Sequence, residues 1–183
     1  MFYSMNIAGI DHKLPLCRVT DDLYIGAFVL FGNAKLTVAC ARELLKKAPD
    51  YDYVITAEAK GIPLAHEMAR QRDDDSYFIA RKYPKLYMTG VFEADVRSIS
   101  TDKEQKLYLD TAEADMIKGK RILIVDDVIS TGESLNALEK LVNLAGGIIV
   151  GKMTVLAEGE AQNRDDIIYL EKLPLFNADG SIK

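Results

Sequence analysis

Residues 121–134 read RILIVDDVISTGES, and the groups capable of chemistry crowd into the second half of that stretch. Asp126 and Asp127 stand side by side after an apolar run, and Ser130, Thr131, Gly132, Glu133 and Ser134 follow. Like charges repel, and taking carboxylates out of water is costly, so a cationic or hydroxyl-rich group belongs beside them. The small-residue turn leads into a helical stretch, where free backbone N–H groups and the helix dipole favour a phosphate. Gly132 lets a ligand approach the backbone, and Thr131 and Ser134 add hydroxyl donors. A sugar phosphate satisfies both halves, with its phosphate in the turn and its hydroxyls on the aspartates. An ordinary strand-to-helix turn needs one Ser or Thr cap and no paired acids. Neither G-x-x-x-x-G-K-[ST] nor G-x-G-x-x-G is present, and Gly119-Lys120 falls before the strand rather than after it.

Two further clusters carry positive charge. Ala59, Lys60 and Gly61 lie between a strand pattern and a helix pattern, which predicts a second anion site at the same sheet edge. Arg81, Lys82 and Lys85 put three cations into five residues of a chain whose net charge is −5. Read alone, each cation is equally a solvated or ion-paired surface residue.

These residues must be positioned by strands and helices. Apolar spacing predicts helices over 34–47, 62–72 and 133–144, the last stopped by Ala145-Gly146-Gly147. Short apolar runs predict strands at 53–57, 77–80, 121–125, 148–156 and near 167–170. Strands alternating with helices over short links build a mainly parallel α/β sheet with flanking helices. Open sheets of that kind bind ligands at the carboxyl ends of their strands, where the acid pair falls. Residues 83–110 break the pattern; VFEADVRSI and KLYLD alternate around STDKEQ, predicting a flexible β-ribbon flap.

Composition narrows the function classes. With 183 residues, 49% of them apolar, the chain reads as one domain over 1–183, with a small N-terminal hood over 1–33. Its 28 acids against 23 bases argue against broad nucleic-acid binding. No apolar run approaches the roughly 20 residues of a membrane span, and the start lacks a signal pattern, so a cytoplasmic location is expected. Cys17 and Cys40 show neither metal spacing nor a disulfide framework and read as buried small hydrophobes. His12 and His66 belong to no His/Cys/carboxylate cluster.

ILIVDDVISTGES resembles the phosphoribosyl-pyrophosphate (PRPP) signature of the type I phosphoribosyltransferases. EAKGI (58–62) is similar to that family's pyrophosphate loop, and ARKYPKLY (80–87) resembles the stretch that opens its catalytic flap. The resemblance covers about residues 14–176. It implies a glycosyltransferase (pentosyltransferase) of nucleotide salvage that moves a 5-phosphoribosyl group from PRPP to a nucleobase and releases pyrophosphate. It further implies Mg²⁺ as cofactor, held through substrate or water at Asp126 and Asp127, and a homodimer. In those terms Ser130–Ser134 take the 5′-phosphate, Ala59, Lys60, Gly61, Arg81 and Lys82 take pyrophosphate, and Asp126, Asp127, Lys85 and Asp110 serve catalysis, with Glu113 as an alternative to Asp110.

The base is read from weaker signals. The tail VLAEGEAQNRDDIIYLEKLPLF, a strand with an acid and then a charged segment, resembles the end of adenine phosphoribosyltransferases. PLCRV offers Leu16, Cys17 and Arg18 as a base-binding hood, with core packing and a surface Arg as the equal alternative. Hypoxanthine-guanine enzymes usually carry an Asp where Ser130 stands, which favours adenine. Glu133 departs from the Gly usual in adenine enzymes. Orotate and xanthine are the alternative bases, and a non-catalytic PRPP-binding regulator is the alternative class. The absence of a basic surface and of an extra winged-helix domain favours the enzyme.

Overall fold

The computed structural model describes residues 1–96 and 105–183. The chain runs β1 (Phe2–Ile7), β2 (Ile10–Arg18), β3 (Tyr24–Gly26), α1 (Ala34–Leu45), β4 (Tyr53–Ala57), α2 (Ile62–Arg72), β5 (Phe78–Ala80) and β6 (Val91–Val96). It continues with β7 (Gln105–Asp110), α3 (Thr111–Ile117), β8 (Arg121–Ile129), α4 (Glu133–Leu144), β9 (Ile148–Glu158), a 3₁₀ turn (Gly159–Asn163), β10 (Ile168–Leu173) and β11 (Leu175–Phe176).

The central sheet has the order β10-β9-β8-β4-β5, and every pairing in it is parallel. Strand β8 lies in the middle and is buried on both faces. The pleat sends successive side chains to opposite sides. Ile122 and Ile124 join α4, α3 and the β7 residues Leu107 and Leu109 in one core cluster. Leu123 and Val125 join α1, α2 and the hood residues Ile7 and Leu14 in the other. The two clusters fill the two faces of one sheet, and the helices flank it as expected.

The first 26 residues form antiparallel strands that extend, through β11, into a second sheet of order β1-β2-β3-β11. Only Pro174 separates the end of β10 from β11, so the hood is joined directly to the edge of the central sheet. Strands β6 and β7 pair antiparallel as the expected ribbon. Residues 97–104, which include most of the turn expected over 100–105, lie outside the described residues.

Three expectations need correction. Strand β8 does not stop at Val125; its ladder with β9 runs to Ile129, so the acid pair is inside the strand's last turn of pleat. Residues 111–117, expected only to lead into β8, form α3, because Asp110 and Glu113 make a capping box at its start. Cys17 is exposed, whereas Cys40 is buried and its thiol is pushed up to about 12 by that burial. Among the described residues no helix is long and apolar enough to cross a membrane.

Candidate active site

The carboxyl edge of the central sheet brings the singled-out stretches together. Asp126 and Asp127 point to opposite faces of β8 by the strand pleat, which eases their repulsion. Backbone amides anchor both: Asp127 N–H donates to Asp126 Oδ1 at 2.9 Å, and Val128 N–H donates to Asp127 Oδ1 at 2.9 Å. Asp127 is 2% exposed, and its Oδ2 is buried with no hydrogen-bond partner. The nearest cation, Lys60 Nζ, stands 3.9 Å from that oxygen. Burial, and then the charge of Asp127, push the Asp126 carboxyl up to about 7. Burial also raises Asp127, opposed by Lys60. The pair is short of positive charge and of donors, which is the state of a site built for a ligand that supplies both.

The helices that start here are capped differently from the others. Asn33 caps α1, accepting from Leu36 N–H at 3.1 Å, and Asp110 caps α3. By contrast α2 and α4 begin at Gly61 and Gly132, and neither has a side-chain cap. Both starts stand at the positive end of a helix dipole, α4 with no side-chain cap and α2 with Ile62 N–H turned back to Ala59 O at 3.2 Å. Gly132 sits at φ +79°, a left-handed conformation that a side chain would strain. The amides of Thr131 and Gly132 have no backbone partner among the described residues, and Glu133 N–H lies 3.5 Å from Thr131 Oγ1.

Glu58 organises the cations. Its carboxylate accepts from Lys82 N–H at 3.0 Å and lies 3.4 Å from Lys85 Nζ and 3.7 Å from Arg81 Nη1. The Lys82 amide and these cations hold its carboxyl below the ordinary range.

A cleft of about 510 Å³ runs between this edge and the hood, within the size range of small-molecule sites. Ala59, Lys60, Lys82, Asp126, Asp127, Ser130 and Ser134 line it. Gly61, Thr131, Gly132 and Glu133 form the turns behind those residues, and Arg81 and Lys85 are tied in through Glu58. Leu16, Cys17, Arg18 and Asp110 are not in its lining. Cys17 and Arg18 are exposed, and Arg18 is ion-paired with Asp21. Asp110 is engaged, accepting from Thr89 N–H and Ala112 N–H as well as Thr89 Oγ1.

The lining also contains residues that sequence reasoning passed over. The hood contributes Ile25, Gly26, Ala27, Phe28 and Val29, one strand beyond PLCRV. The register Cys17↔Ile25 shows why the two stretches are neighbours, and no period in the sequence distinguishes which of them faces inward. Glu158, the last residue of β9, is a second buried acid of the cleft. Arg164 crosses behind the phosphate-type turn: a Cβ at Gly132 would lie 2.7 Å from its Nη1. Asp166 fixes that guanidinium with bonds of 2.7 and 2.8 Å. The acid and the Arg both lie in the tail segment whose charge pattern was noticed without assigning its residues.

Known proteins resemble the chain in sequence and in fold. A hypoxanthine/guanine phosphoribosyltransferase of Methanococcus voltae is 33% identical over 135 residues, 74% of this chain and 68% of that protein. An orotate phosphoribosyltransferase of Caldanaerobacter subterraneus subsp. tengcongensis is 25% identical over 164 residues, 88% of this chain and 75% of that one. In fold, the chain is similar to the adenine phosphoribosyltransferase of Thermoanaerobacter pseudethanolicus, with a TM-score of 0.64 at 24% identity, covering 78% of this chain and 84% of that one. With residues 29–177 matching the model of the phosphoribosyl transferase domain, the chain belongs to the phosphoribosyltransferase family, enzymes of the pentosyltransferase class.

Proposed function

We propose that the chain transfers the 5-phosphoribosyl group of PRPP to a purine, adenine first, and releases pyrophosphate. The observation that carries this reading is the joint one at the sheet edge: two helix starts without side-chain caps stand beside an acid pair in which Asp127 Oδ2 is buried without a donor. The amides of 131–134 with Ser134 hold the 5′-phosphate, and Asp126 and Asp127 accept from the ribose hydroxyls. The amides at Ala59–Gly61, with Lys60, Lys82, Arg81 and Lys85, meet the pyrophosphate. In the transfer the bond from ribose C1 to pyrophosphate oxygen breaks, a bond from C1 to the base nitrogen forms, and the proton on that nitrogen passes to the released pyrophosphate or to water. Negative charge grows on the leaving group, where the cations stabilise it. Positive charge grows on the ribose, above the carboxylates.

Magnesium fits these residues as a shared ion rather than a caged one. The orphaned Asp127 Oδ2 offers an anionic ligand, yet no group of three or more His, Cys, Asp or Glu among the described residues could hold a metal alone. Asp126 and Asp127 would hold Mg²⁺ together with PRPP oxygens and water, and the ion would supply Lewis-acid neutralisation of the departing pyrophosphate.

A second reading, transfer to hypoxanthine or guanine, is favoured by the name of the Methanococcus voltae relative. A panel of adenine, hypoxanthine, guanine, xanthine, orotate and uracil, scored for pyrophosphate release with PRPP and Mg²⁺, tests the proposal. Turnover with adenine above all others is expected. Release with orotate alone, or PRPP binding with no release for any base, overturns it.

A further inference from the structure

The transfer chemistry leaves one carboxylate of the cleft without a task. Glu158 is 8% exposed and ends β9, opposite Leu173 of β10. Two residues after Leu173, β11 enters the hood and pairs Leu175 with Ile25. Glu158 therefore stands where the central sheet meets the hood, in the lining of the same cleft as the acid pair. Among the described residues no hydrogen bond reaches its carboxyl, and no cation stands within ion-pair distance. Burial holds the carboxyl above the ordinary range, and Lys60 opposes this only at a distance.

Its residual exposure is to the cleft, and a carboxyl that opens into a confined pocket without a protein donor gains from a ligand that donates to it. The donor is not a phosphate, whose charge a carboxylate repels. The ribose hydroxyls are already matched by Asp126 and Asp127. The base remains, and it lies on the hood side, where Phe28 and Val29 offer apolar cover. Purines differ most at position 6: an amino group donates, whereas an oxo group only accepts. We propose that Glu158 is the specificity-determining residue of the base site, accepting a hydrogen bond from the exocyclic amine of a 6-aminopurine and turning away a 6-oxo group. The discrimination belongs to the carboxylate, which accepts from the amine and has no proton to give a 6-oxo group.

The inference rests on the purine-transfer reading, and its test separates the two. Wild type, Glu158→Gln and Glu158→Lys are compared in kcat/KM for adenine and hypoxanthine, and in calorimetric Kd for AMP and IMP, which needs no turnover. The expected result is a fall of about 10- to 100-fold in the adenine-over-hypoxanthine ratio for Glu158→Gln, the worth of one hydrogen bond to a charged group. Glu158→Lys should prefer hypoxanthine and IMP, while the Kd for PRPP alone stays that of wild type. The near-isosteric Gln variant, checked by its melting curve, keeps the test sound if the Lys variant does not fold. Unchanged AMP-to-IMP and adenine-to-hypoxanthine ratios in a folded Gln variant overturn the inference. So does a wild type that prefers guanine and loses it in Glu158→Gln, which would place the N1–C2 edge against the carboxylate. A chain that binds AMP over IMP through Glu158 yet releases no pyrophosphate keeps this inference and loses the transferase reading.

Discussion

Gly61→Ala is the sharpest structural perturbation of this site. Gly61 has φ −75°, an ordinary helical value, so its need is for space rather than for an unusual conformation. A Cβ there would collide with Thr56 Oγ1 and stand 2.9 Å from Asp126 Oδ1 and 3.3 Å from Asp126 Cα. Thr56 is fully buried on β4, and its β-branch means that turning χ1 only exchanges a hydroxyl for a methyl. Asp126 is anchored by the Asp127 amide. The turn carrying Ala59 and Lys60 must therefore move. Overpacking of this kind costs about 1–3 kcal/mol, which for a chain of this length lowers Tm by about 2–12 °C. The displaced turn carries groups that must meet pyrophosphate, and a misplacement near 1 Å costs about 10²-fold in rate. Differential scanning fluorimetry and pyrophosphate release measure the two effects. Thr56→Ala removes the worst collision, so the double variant should show coupling of about 0.5–3 kcal/mol in the rescuing direction. A Gly61→Ala protein with wild-type Tm and rate would refute the claim that the loop and the acid pair are packed backbone to backbone.

Three more outcomes are expected. Asp126 titrates near 7 in the fold against an ordinary value of 3.8; the folded chain thus binds more protons than the unfolded one between those values, and this contribution to stability is present below the lower value and lost as pH rises through the upper. Asp126→Asn, melted without ligand, should gain Tm relative to wild type progressively from acid to neutral pH, and a flat difference would contradict the burial of this carboxyl. Glu58→Gln removes the anion beside Lys85 and Arg81, so pyrophosphate should inhibit about 2- to 5-fold more tightly, the worth of a partly exposed pair; weaker inhibition would mean that Glu58 positions the cations rather than competes for them. We propose a homodimer that covers the exposed Tyr83, Leu86 and Tyr87 beside the cation stretch; sedimentation at micromolar concentration should give twice 20.4 kDa, and a single 20.4 kDa species would rule the dimer out.

What could be read from the sequence follows from how local each signal is. Strand β4 and helices α2 and α4 lie at the expected residues because their apolar periods and their Gly and Pro stops are contained within a dozen positions. The acid pair and the two Gly-started helices are equally local, since a phosphate cup is made from consecutive amides. Strand β8 runs longer than expected because its last residues are held by β9, a partner 28 positions away by the pairing of Asp126 with Thr154. The base side of the cleft is non-local throughout. It joins β3 to β11 across the whole chain, by Ile25 and Leu175, and sets Glu158 beneath them. PLCRV and YIGAFV are both apolar and both in the hood, and only the antiparallel register decides that the second lines the cleft. The family match begins at residue 29, after those strands. The match takes in the acid pair, both Gly-started helices and Glu158 but not β1–β3, so base choice has to be argued from Glu158 and the hood rather than carried over from a relative's name.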